Sequence, residues 1–398
     1  MPTDRPIDMP QTGRKAGVWT IGAIFAGESL LRALNVSVIP IQAYDLLGSS
    51  QRVSIVATCV SFMVLLTTLS LPFLFHGVRR RWVYSIGIAL VMAAALVFSA
   101  NIVAGQVIAT FLRNAGASIM NITLSLYIMD NIGKHELTRS EPVRMTVSTI
   151  SWVVGPATGA WLYSQYGALA PQLAVVAAGF VLMGGFWAAR LRDPVSLPSG
   201  TINNFNPLSN LLAFFRQPRL RLAWSIAFGR SCFWSAMFIY GPLLMIEGGL
   251  AKATAGLMIS ASQLTLPLSL IHGRLAQRFG VRKVVAVCFA SMAILCMVAG
   301  SFGKTSPWSA VVCLLLAAVC ASGLDGVGGV PFYRSVKPRE RQRMTSVYRT
   351  FFEFAELIPG FVFMFLLLHF QIGIVFIVIS VLSGILAVIT WKHLPKSM

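Results

Sequence analysis

Eight charged side chains lie deep inside apolar runs of this sequence: Glu28, Arg32, Arg113, Arg230, Asp325, Arg349, Glu353 and Glu356. A lone charge at the centre of hydrocarbon costs about 2.5–3.5 kcal/mol on insertion scales, so such residues mark a partner or a wet cavity. Carboxylates there can carry a proton, guanidiniums can hold an anionic group, and opposite signs can simply neutralise one another. Side chains three and four apart share a helix face, which puts Glu28, Arg32 and Asn35 on one stripe and Arg349, Glu353 and Glu356 on another. Static pairs Glu28–Arg32 and Arg349–Glu353 are therefore expected. Glu356, deeper and with less local compensation, is the better proton carrier; Glu28, Glu353 and Asp325 are the others. Asp325, in the glycine-rich Ser322–Gly326 stretch, reads as a gate residue or an interhelical partner. Substrate contacts are expected from Arg32, Asn35, Arg230 and Arg349, with Trp234, Tyr240 and Gln263 as further cavity candidates. No nucleophile–base pair and no Cys/His ligand spacing occurs, so the reading is of a non-enzyme without metal or cofactor.

The elements that must carry these residues follow from composition. Of 398 residues, 56% are hydrophobic and only 11% charged, with mean hydropathy +0.74; soluble domains average about 25% charged. Runs long enough to cross a hydrocarbon core of about 30 Å recur at 18–42, 53–75, 82–100, 102–129, 145–164, 171–189, 222–245, 254–272, 283–302, 307–331, 344–368 and 372–391. The expectation is an all-α membrane protein with twelve transmembrane helices. If alternate loops share a side, 25 of the 32 Lys and Arg fall on one side and only Arg52, Lys252 and Lys304 on the other. By the positive-inside rule both termini are cytoplasmic, in a multi-pass protein of the inner membrane. The net charge of +19 is thus an orientation signal, and nucleic acid is not a partner. The N-terminal segment lacks a cleavage site and reads as leading into an uncleaved first span. The expected division is a tail at 1–17, a six-helix bundle at 18–190, a linker at 191–221, a second bundle at 222–392 and a tail at 393–398. Pro207–Arg216 within the linker has the pattern of an interfacial amphipathic helix.

The two bundles read as copies. Gly27-Glu28-Ser29 with Pro40 recurs as Gly229-Arg230-Ser231 with Pro242, offset by 202, and Gly77-Val78-Arg79-Arg80 recurs as Gly280-Val281-Arg282-Lys283, offset by 203. Repeats of this kind place a binding site at their interface near the midplane, with Arg230 expected opposite Glu28.

The stretch Gly273-Arg274-Leu275-Ala276-Gln277-Arg278-Phe279-Gly280-Val281-Arg282-Lys283 resembles the GxLaDrxGrrk loop of the major facilitator superfamily, with Gln277 at the usual Asp. The first-half copy has Leu74 at that position, so the acidic latch of the family is missing from both. Gly155-Pro156-Ala157-Thr158-Gly159 resembles the GPxxG element of antiporters in that family, and Arg113 matches its span-4 arginine, which is linked to proton coupling. The resemblance implies two pseudo-symmetric six-helix bundles working by alternating access. It further implies proton-coupled export of a small organic or amphipathic compound by a monomer in the bilayer. An organic anion, siderophore-like or phosphorylated and bound by the in-membrane arginines, is the alternative substrate. Gly155, Pro156, Gly159, Gly273, Arg278, Gly280 and Arg282 are the expected gating positions.

Overall fold

A computed structural model describes residues 18–74, 78–131, 137–189, 207–336, 344 and 347–395. Residues 1–17 and 396–398 of the expected tails, the linker up to residue 206 and the first-half loop at His76-Gly77 lie outside the described residues.

Among the described residues every apolar run is predominantly helical. The first bundle comprises α1 (Val18–Ala33), α2 (Val38–Leu47), α3 (Ser50–Leu74), α4 (Arg80–Ser99), α5 (Val103–Asn131), α6 (Leu137–Tyr166) and α7 (Leu169–Ala188). After α8 (Pro207–Phe215), the second comprises α9 (Pro218–Glu247), α10 (Lys252–Gln263), α11 (Ser269–Phe279), α12 (Val281–Phe302), α13 (Pro307–Val327), α14 (Val330–Ser335), α15 (Phe351–Leu366) and α16 (Gly373–His393). Nine stretches among the described residues are long and apolar enough to cross a bilayer. Helices α5, α6 and α15, which hold Arg113, the Gly155–Gly159 element and Glu353–Glu356, complete the twelve spans.

Two spans are broken where proline removes a backbone donor. The first divides into α1 and α2 at residues 34–37, just before Pro40. The eighth passes from α10 through a 3-10 turn at Leu266–Leu268, holding Pro267, into α11. Gly48, at φ 73°, closes α2 by donating its N–H to the Tyr44 carbonyl.

Leu31, Tyr84, Ile88, Val175 and Phe186 fill the core of the first bundle, while Phe233, Phe289, Met292, Leu314 and Phe376 belong to a second core that crosses the seam to Val38, Ile41 and Ala160. The repeat is visible in packing: a Cβ on Gly27 would lie 3.0 Å from Leu182 Cδ1 of α7, and one on Gly229 would collide with Leu386 Cδ1 of α16. Matching glycines thus seat the first helix of each bundle on the last. Helix α8 differs from the interfacial expectation. Its Phe214 is fully buried in a cluster with Leu220, Phe332 and Tyr348, so the apolar stripe docks on the second bundle.

Candidate functional site

The bundles meet through α2 against α9, α3 against α15 and α6 against α10. One feature of the sequence lets them approach: Gly256 of α10 faces Ala160 and the Pro156 carbonyl of α6, and a Cβ there would overlap those atoms. Within the first bundle, Gly159 of α6 likewise faces the Leu34 carbonyl where the first span breaks. Polar groups then stitch the seam. Ser54 Oγ and Tyr240 Oη share a hydrogen bond of 2.6 Å, Ser54 Oγ also donates to the Gly360 carbonyl at 3.2 Å, and the Ala157 N–H donates to Ser260 Oγ at 2.8 Å. At the helix ends away from the cationic loops, Asp45 Oδ2 accepts from Tyr163 Oη at 2.6 Å and from Lys252 Nζ at 2.5 Å. Lys252 also lies 5.2 Å from the Tyr163 ring centre.

Two charged centres flank the middle of the seam. In the first bundle Glu28 is fully buried; its Oε1 lies 3.6 Å from Arg32 Nη2, and Tyr84 Oη donates to its Oε2 at 3.4 Å. In the second, Arg230 Nη1 meets Asp325 Oδ1 at 2.9 Å, and Trp234 Nε1 donates to Asp325 Oδ2 at 3.0 Å. Side chains of Arg32 and Arg230 keep 19% of their surface exposed and Asp325 28%. An aromatic ladder joins the centres: Arg32 Cζ lies 6.0 Å from the Trp152 ring centre, Trp152 is 5.8 Å from Phe238, and Phe238 is 5.7 Å from Trp234 at an interplanar angle of 21°. Arg113 reaches in from α5, donating from Nη2 to the Arg32 carbonyl at 3.0 Å and from Nη1 to Asn114 Oδ1 at 2.9 Å. The Arg113 and Glu356 charges lie within electrostatic range of one another across the seam. Glu356 is half-buried and makes no hydrogen bond or ion pair with any described residue. Charged ends in two lobes, with a run of aromatic rings between, offer partners both to polar groups and to flat apolar ones.

The structure corrects several placements. Arg230 pairs with Asp325, not with Glu28, because each repeat supplies its own counter-charge; Asp325 is the interhelical partner. Asn35 leaves the Glu28–Arg32 stripe because α1 ends at Ala33. It is buried, donating to Gln172 Oε1 of α7 at 2.8 Å. Arg349 makes no ion pair with Glu353 or Glu356 and is exposed, since a turn at Thr350 separates it from the α15 face. Tyr240 is buried in the seam contact with Ser54, and Gln263 is buried with its Nε2 bonded to Ser262 Oγ at 3.1 Å. The loop glycines divide: Gly280 needs its residue type, at φ 90°, whereas a Cβ on Gly273 meets nothing within 4 Å. Arg278 and Arg282 lie over the rings of Phe279 and Trp391. Gly155 packs on Ala33, its Cβ position 2.6 Å from that of Ala33.

Sequence reasoning missed Trp152, Phe238, Asp45, Tyr163 and Lys252. Lys252 carried a signal, as one of three cations on the sparse side. Trp152 and Phe238 carried none, being aromatics among many.

These features define a two-lobed membrane carrier. The sequence model described as Major Facilitator Superfamily matches residues 21–265 and 244–397. The chain belongs to that family, and is a secondary active transporter rather than an enzyme. Among solved structures it is similar to a POT family transporter in complex with 5-aminolevulinic acid, with a TM-score of 0.77 at 12% identity over 98% of each chain. It also resembles the nucleoside transporter NupG (TM-score 0.71, 14% identity, 94% of this chain and 98% of that one). A third is a bacterial homologue of the iron transporter ferroportin in an inward-facing state (TM-score 0.69, 14% identity, 94% and 98%). At such identities the likeness establishes the fold. No curated protein sequence matches this chain.

Proposed function

We propose that this chain is a proton-coupled carrier of small amphipathic organic compounds, in which the two bundles rock about the charged seam. The observation that carries the reading is Glu356: a carboxylate at the seam, without hydrogen-bond or ionic partner among the described residues, facing the charge of Arg113 from the other lobe. A half-buried carboxylate with no fixed partner is strained when charged and closed off from water, so it is suited to gain and lose a proton as the seam opens and closes. The apolar body of the substrate lies on Trp152, Phe238 and Trp234. The span-5 GPxxG element favours export, which follows where proton and substrate compete for the same carboxylate. Where they bind together, the proton gradient drives uptake instead.

The test is flux of labelled organic acids and cations in proteoliposomes under an imposed pH gradient. Glu356→Gln is expected to abolish gradient-driven accumulation while leaving exchange of substrate across the membrane intact. Flux indifferent to the gradient, or gradient-driven flux surviving simultaneous Glu→Gln changes at positions 28, 353 and 356, would refute the coupling.

A further inference from the structure

Charge is balanced at one end of the aromatic ladder and unbalanced at the other. Arg230 has a carboxylate at 2.9 Å, itself anchored by Trp234. Arg113 has none within ion-pair distance among the described residues; its donors go to a backbone carbonyl and an amide oxygen. Arg32 has only Glu28, at 3.6 Å, beyond the roughly 2.7–3.2 Å of a hydrogen bond. The Nε atoms of both guanidiniums are buried without an acceptor. Once Glu356 holds a proton, the two cations, side by side and tied through the Arg32 backbone, share one carboxylate that Tyr84 also binds. In a membrane interior this surplus calls for an anion.

We infer that Arg32 and Arg113 form a binding site for the acid group of a planar aromatic substrate, whose ring lies against Trp152. Trp152 stands 6.0 Å from Arg32 and continues through Phe238 into the ladder, so a ring laid there brings a directly attached acid group to the two cations. Guanidinium matches a carboxylate or phosphate with paired donors, and the indole face accepts the ring by offset stacking. Trp152 belongs to the first bundle and Phe238 to the second, and the two rings already touch at 5.8 Å, so a ring laid against their shared edge contacts both lobes.

The inference rests on the proton-coupled reading and gives it a sign. The charged groups that act on Glu356 are Glu353 one turn earlier and Arg113 of α5; Arg230 of the neighbouring α9 lies 5.4 Å from the Phe351 ring at the start of α15. Helices α3 and α16, also packed on α15, carry Lys and Arg only near their ends, at Arg52 and Lys392. An acid group on Arg113 brings a second negative charge to the neighbourhood of Glu356, so anion and proton bind together; by linkage each raises affinity for the other.

The experiment measures thermal stabilisation and tryptophan quenching of the full chain in neutral-lipid nanodiscs, with 2-naphthoate, 2-naphthamide, 2-naphthylmethylammonium and cyclohexanecarboxylate as probes. Naphthoate is expected to bind at least about ten-fold more tightly than the other three, a difference of about 1.4 kcal/mol, and more tightly as pH falls. Arg113→Gln and Arg32→Gln are expected to erase the preference for acid over amide, and Arg113→Lys to keep part of it. Should Arg32→Gln fail to fold, Arg113→Gln and Trp152→Leu decide. Equal or tighter binding of the ammonium probe, an acid preference unchanged in folded Arg113→Gln, or no response to millimolar naphthoate would overturn the inference. Proton-driven flux with a cation preference would sink the anion site and spare the coupling. Naphthoate binding that ignores both pH and Glu356→Gln would do the reverse.

Discussion

Asp325 serves two neighbours at once, the guanidinium of Arg230 and the indole N–H of Trp234. Removing its charge leaves a half-buried cation without its partner and loosens one end of the aromatic ladder. Exposed ion pairs contribute about 0–1 kcal/mol, and breaking a buried one costs about 3–5 kcal/mol. Since Asp325 keeps 28% of its side chain exposed, Asp325→Asn should fall between those limits. Thermal melts in detergent are expected to show that loss, and Arg230→Gln added to Asp325→Asn should recover part of it. A double variant as unstable as the sum of the two singles would mean that the pair contributes no coupling. That eight charges were sunk in apolar sequence was plain from residue types alone. Which charge met which was not, because a partner on another helix leaves no trace in spacing: Arg230 and Asp325 are 95 positions apart.

Among the elements, the broken first span depends on its neighbour. Residues 34–37 leave the helix, and α6 closes on that break through Gly159, whose absent side chain is what the Leu34 carbonyl occupies. Gly159→Val should therefore push α6 off the break and destabilise the first bundle by about 1–3 kcal/mol, the range for overpacking. Gly273→Ala, where a Cβ meets nothing within 4 Å, should leave melting unchanged; comparing the two by scanning calorimetry is the check. Helix number, order and the two-lobed repeat were legible because long apolar runs and clustered cations are one-dimensional signals. The breaks were half legible. Pro40 and Pro267 mark them, yet the consequence for Asn35, which leaves its stripe to bond Gln172, follows from where the chain turns and not from its spacing to Arg32. At α15 the same failure recurs: a spacing of four promised Arg349 to Glu353, and the turn at Thr350 undid it.

For the whole molecule, the described contacts between lobes gather toward the ends bearing Asp45 and Lys252. Rocking must undo that set. Breaking the Lys252–Asp45 link by Lys252→Ala should raise labelling of a cysteine placed at Ser54, in a background lacking the native Cys59, by a membrane-impermeant maleimide. The charge-reversed pair Asp45→Lys with Lys252→Asp should restore protection, and labelling indifferent to both changes would show that the link does not hold the lobes. Both partners keep about a third of their side chains exposed, 37% for Lys252 and 31% for Asp45. A strap made of wet charge answers to dissolved ions, whose screening length shrinks from roughly 10 Å at 0.1 M to 3 Å at 1 M. Brine on that face alone therefore weakens the fastening without touching the dry glycine contacts beneath it, and the carrier's resting posture becomes a property of the surroundings as much as of the chain.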